Sequence, residues 1–138
     1  VLMFKKKGQV SFEYFLVVGF AFVLLMPVML LFLVEMNDLN RDVNAAQISK
    51  LADELANSVN NVYYLGPPTK RTFRMYIPDD IDSVTFNNNV IQFNVSAGSI
   101  SYTVVRYTAT NMTGSLNINR GMHSIKITAT SSGVNING

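Results

Sequence analysis

Lys5-Lys6-Lys7-Gly8-Gln9-Val10-Ser11-Phe12-Glu13 leads directly into YFLVVGFAFVLLMPVMLLFLV, residues 14–34. The second stretch is 21 residues without a formal charge, interrupted only by Gly19 and Pro27. About twenty apolar residues in a helix match the hydrocarbon thickness of a bilayer, so this is a membrane-span length. It also carries much of the chain's 49% hydrophobic content, and the chain after Val34 is polar and rich in asparagine. About a hundred residues remain there, enough for one modest core. A soluble cytosolic enzyme is the class least compatible with this layout.

Beyond Val34 the apolar residues change spacing. Ile48, Leu51, Ala52, Leu55, Val59 and Val62 recur every three or four residues, which makes one stripe of an amphipathic helix. Asp42, Asn44, Lys50, Asp53 and Asn57 lie before or between the stripe positions and are expected to face water. No turn signal separates the apolar run from the stripe. The pattern predicts one continuous helix from about Ser11 to Tyr64, roughly 80 Å long at about 1.5 Å per residue. Gly66 is placed to cap it and Pro67-Pro68 to stop it. Inside the helix, Pro27 has no amide hydrogen to donate, so a kink is expected there.

After Pro68 the period becomes two. Strands are predicted at 72–77, 84–86, 90–95, 101–110, 115–119 and 124–130, with a short closing strand over 133–138. Asn87-Asn88-Asn89 is a natural hairpin tip because asparagine tolerates positive φ. The fold class expected is α+β: a long N-terminal α-helix, then a small antiparallel sheet or sandwich as a head domain.

Charge and composition remove several functions. The formal charge of +2 is local, because residues 1–8 contain three lysines and the remainder balances to −1. No contiguous basic stripe is left to neutralise a phosphate backbone, so nucleic acid is not an expected partner. There is no cysteine, hence no disulfide, thiolate metal site or cysteine nucleophile. With His123 the single histidine, no metal ligand set or acid–base constellation is visible, and neither a cofactor nor catalysis is expected.

An N-terminal apolar run admits three explanations. A secretory signal peptide has an apolar region of about 7–15 residues ending in small residues. This run is longer, and Phe32-Leu33-Val34-Glu35-Met36 offers no such exit. A plain membrane anchor would keep the lysines inside and the β domain outside. The third explanation rests on Lys7-Gly8-Gln9-Val10-Ser11-Phe12-Glu13-Tyr14, which resembles the processing site of archaeal type IV pilins, the Gln-x-Ser-x-Glu form of the class III signal peptide. Leu51-Ala52-Asp53-Glu54-Leu55-Ala56, the Leu65-Gly66 stop, the Ile77-Pro78 corner and Gly121-Met122-His123-Ser124-Ile125 are similar to these pilins as well. The start motif is the specific part.

The resemblance implies a division into residues 1–8 as a leader, 9–65 as the filament-forming helix and 69–138 as an exposed β head. It implies cleavage between Gly8 and Gln9 by a prepilin peptidase, with Gln9, Ser11 and Glu13 forming the processing and assembly motif. Glu13 would be the fifth mature residue and would offset the new amine of Gln9 on an adjacent subunit. A Glu near a helix N-terminus also gains from the macrodipole, but that accounts for the carboxylate alone and not for the string around it. Cyclisation of Gln9 to pyroglutamate would remove the amine and give Glu13 a different task. The helix would span the membrane before assembly and then enter a helical homopolymer, with an assembly platform and ATPase as partners. The expected place is the cell surface, as an extracellular filament used for adhesion. The alternative is an uncleaved single-span anchor carrying the β domain, such as a stator or another component of a surface-filament machine. Within the filament class, a minor pilin and a subunit of a rotating filament stand beside the major pilin, the Gln-x-Ser-x-Glu string favouring a pilin.

Weaker signals remain. Asn94-Val95-Ser96 and Asn111-Met112-Thr113 are N-glycosylation sequons, with Asn111 nearer a turn. Asp79-Asp80-Ile81-Asp82 has the carboxylate density a calcium ion wants, yet it reads more simply as an acidic turn after Pro78. Phe12, Tyr14, Phe15, Phe20, Phe22 and Phe32 read as helix packing surface.

Overall fold

The computed structural model describes the backbone from Met3 and the side chains from Gln9 to Gly138. α1 is a single helix, Met3–Leu65, and it runs through Pro27. It starts ahead of the predicted Ser11 and so includes Gln9, Ser11 and Glu13. Seven strands come after it: β1 (Lys70–Ile77), β2 (Ile81–Asn87), β3 (Val90–Ala97), β4 (Ile100–Tyr107), β5 (Met112–Ser115), β6 (Gly121–Thr130) and β7 (Gly133–Asn137).

The chain divides into two compact units, one ending at Asn40 and the other comprising Arg41–Gly138. In the first, every large apolar side chain from Phe20 to Val34 is exposed. Nothing within the unit covers them, because a lone helix has no second layer. By length and composition the described helix can cross a membrane.

The second unit is the head. Its strands form a four-stranded sheet, ordered β1-β6-β7-β5, and a three-stranded sheet, ordered β2-β3-β4. The three-stranded sheet is antiparallel throughout, while in the other sheet β5 runs parallel to β7, with Met112 opposite Val134. The head is therefore partly mixed rather than purely antiparallel. The predicted strand at 115–119 lies earlier, at Met112–Ser115. Pairing with β7 selects it, and Leu116 and Ile118 pack against the core from outside any strand.

The apolar stripe is the core of the head. Ile48, Ala52, Leu55 and Val59 are fully buried, with Leu51 and Val62 nearly so. They join Ile77, Ile91, Phe93, Val95, Ile125, Ile127, Val134 and Ile136 from the two sheets in one cluster. Five large aliphatic side chains, each contributing about 2 kcal/mol on burial, amount to roughly 10 kcal/mol. That matches the whole net stability of a domain this size, so the sheets cannot be expected to stand without the helix.

The helix ends as its last residues dictate. Gly66, at φ 72°, donates its amide to the carbonyls of Val62 (3.2 Å) and Tyr63 (3.0 Å), closing the final turn in the left-handed conformation glycine allows. Asn88 takes φ 53° at the β2–β3 hairpin tip, as the Asn-rich turn predicts.

Candidate functional site

The residues of the expected processing motif lie near the start of α1. Gln9, Ser11 and Glu13 are all solvent-facing, and Glu13 has no ion-pair partner among the described residues. The leader side chains, and with them the Gly8 half of the expected cleavage site, lie outside the described residues. An unpaired carboxylate at the mouth of an apolar helix is costly in a low-dielectric setting and gains from a cation supplied by another molecule. Further along, Phe22, Leu25, Met26, Val28, Met29 and Phe32 line an apolar hollow around Pro27. Pro27 itself removes one hydrogen bond from the helix ladder.

The head holds its stretch of α1 with polar contacts as well as apolar ones. Arg106 of β4 pairs with Asp53 and donates to Ser49 Oγ at 2.8 Å. The Asn60 side-chain oxygen accepts the amide of Ala109 at 2.8 Å. Asn44 donates to Asp80 at 2.8 Å and is half-buried, so it does not simply face water as expected from its place ahead of the stripe. None of these pairs is visible in the sequence, because each joins residues at least 36 positions apart.

The acidic turn after Pro78 distributes its carboxylates among separate partners. Asp79 accepts from Arg120 at 2.7 Å, Asp80 from Asn44 and Asp82 from the Ser96 hydroxyl. No group of three potential metal ligands occurs among the described residues. Arg120 is held more firmly protonated by its hydrogen bond to the Tyr76 hydroxyl and by the nearby Asp79. Partial burial raises the Tyr102 phenol above its ordinary value, and the charge of Asp80 adds to the shift. His123 is half-buried in β6 with Nε2 at 2.6 Å from the Asn119 carbonyl, an internal turn contact.

The two sequons occupy different settings. Asn94 sits in β3, the middle strand of its sheet, and its amide is spent: it donates to Ser83 at 2.9 Å and accepts from Thr103 and Gln92. Asn111 is exposed in the connection before β5.

Chain folding also gathers cations that the sequence leaves scattered. Lys50 of α1 and Arg74 of β1 line one hollow, and Lys50 and Arg71 line a second. Lys70 continues the line on β1, and Lys126 stands on β6 opposite Thr72.

Compared with known protein families, curated proteins and solved structures, the chain matches none of them.

Proposed function

We propose that this chain is a pilin-like structural subunit of an archaeal type IV pilus-like surface filament. A prepilin peptidase removes residues 1–8, the helix leaves the membrane, and identical helices bundle with the β heads outside. One observation carries this reading: Gly8-Gln9-Val10-Ser11-Phe12-Glu13 stands at the start of a helix that is bare and apolar from Phe20 to Val34, then buried in its own head from Ile48 to Val62. A simple anchor needs the apolar part but has no use for that string.

The physical sequence of events rests on the two halves of α1. The bare half is stable in lipid or against copies of itself and nowhere else. Moving it from lipid into a helical bundle gains little hydrophobic energy, since lipid is already apolar. Close packing, together with work from an external ATPase, must therefore drive extraction. Neutralisation of Glu13 by the amine of a neighbouring Gln9 would remove the one side-chain charge between Gln9 and Glu35. A contact repeated between identical subunits without closing gives a helical filament rather than a ring.

The N-terminal peptide of this chain, determined by mass spectrometry on filaments sheared from cells, tests the proposal. A chain beginning at Gln9 is expected, and its mass distinguishes the free amine from pyroglutamate. A chain that keeps Lys5 to Lys7 and stays in the membrane fraction rejects it in favour of the uncleaved anchor.

A further inference from the structure

The head carries its charge unevenly. Five cations, Lys50 on the helix, Lys70, Arg71 and Arg74 on β1, and Lys126 on the neighbouring β6, have no ion-pair partner among the described residues. Glu54 is the one carboxylate lining the same two hollows that is not already paired. β1 is also an edge strand, with β6 on one side and no strand on the other. Charged residues on such an edge oppose pairing with a foreign strand, so this flank is suited to side-chain docking rather than sheet extension. The turn that follows β1 is acidic, at the end of the strand away from Lys70 and Arg71. Asp79, Asp80 and Asp82 stand in this turn, which the Asn44–Asp80 bond ties to the helix two residues after Asp42, and Arg120 pairs with Asp79. Arg71 lies instead beside Asn57, Ser58 and Asn61, roughly 20 Å further along the helix at about 1.5 Å per residue.

We propose that this basic flank docks against the acidic turn of a second copy's head, the contact resting on the filament reading. Both surfaces are present on every head but at different levels, so the contact is heterologous: each copy offers one surface and receives the other, and the pattern repeats without closing. Ion pairs at an exposed rim contribute modestly to strength and more to orientation, and they weaken with salt. The apolar helices therefore hold the polymer while the charges fix how neighbouring heads meet.

Zero-length carbodiimide coupling of sheared wild-type filaments tests this. Dimer-sized products should join Lys50, Lys70 or Lys126 to a peptide containing Asp42, Asp79, Asp80 or Asp82. The charge-reversed pair Arg71→Glu with Arg74→Glu should lower filament yield about tenfold, while Arg71→Lys with Arg74→Lys stays within about twofold. Neither arginine has an ion pair to lose among the described residues, and thermal circular dichroism of the reversed chain should show the wild-type melting transition, which separates lost docking from lost folding. Filaments that contain the chain but give no such products overturn the docking and leave the pilin reading standing. So does a charge-reversed pair that assembles within twofold of wild type, or lysines that couple only to an anionic polymer. An uncleaved chain held singly in the membrane overturns both.

Discussion

At the residue scale, single atoms decide what the head tolerates. Gly114 lies in β5 at φ 120°, and a β-carbon built on it would stand 1.8 Å from the carbonyl oxygen of Ile136 on the paired β7. Neither the backbone conformation nor the space accepts a side chain. Gly114→Ala is expected to destabilise the head by about 2 kcal/mol or more, a fall in melting temperature of roughly 10 °C by thermal circular dichroism. A melting temperature within about 2 °C of wild type would show that β5 is not held against β7 this closely. The two sequons make a second residue-scale contrast. Asn94 has its amide bound on both sides within the sheet, whereas Asn111 is exposed, so any glycan should be found on Asn111. Intact-peptide mass spectrometry of the surface protein is expected to return the Asn94 peptide at its unmodified mass, and Asn111→Gln to remove any added mass. A glycan on Asn94 would mean that modification precedes closure of the β2-β3-β4 sheet.

At the element scale, α1 does two tasks with two kinds of surface. Leu55 is fully buried at the centre of the stripe, so Leu55→Ala removes packed volume that the two sheets cannot close over. The expected loss is about 2–5 kcal/mol, measured by urea unfolding of the head. A loss below about 1 kcal/mol would place the helix outside the core. This part of the fold is legible from the chain alone, because a three-and-four spacing admits one helical face and one face only. The cap at Gly66 and the tip at Asn88 are legible for a similar reason, since few residues accept positive φ. The position of β5 is not. Its four residues, Met112 to Ser115, show no alternation of their own and become a strand because β7 lies beside them in parallel. Asn44 escapes the helical pattern through the same limit: its environment is set by Asp80, on a turn the helix meets only after folding. The candidate site divides likewise. The Gln9, Ser11 and Glu13 motif is contiguous and can be read directly, whereas the basic flank is assembled from α1, β1 and β6 and has no linear signature.

At the scale of the whole molecule, the two units place opposite demands on solvent. From Phe20 to Asn40 the large apolar side chains are bare, while Arg41–Gly138 encloses a complete core, including the helical stripe from Ile48 to Val62. A contiguous apolar surface of this extent marks a membrane or protein contact and cannot remain single in water. A chain beginning at Arg41 is therefore expected to be soluble without detergent, monomeric by light scattering and cooperative in its unfolding, whereas the full chain requires detergent or lipid. The position of the cut is what gives this prediction its content. A chain beginning at Thr69 keeps every strand but loses the stripe, and with it roughly 10 kcal/mol of burial, about the whole stability of such a domain. It should aggregate, or bind hydrophobic dyes without a melting transition. If the shorter chain instead folded as well as the longer one, α1 would be an attachment to a self-sufficient β domain. The helix would then have no structural reason to continue beyond the bilayer, and the filament proposal would lose the feature that couples each head to the helix it must follow.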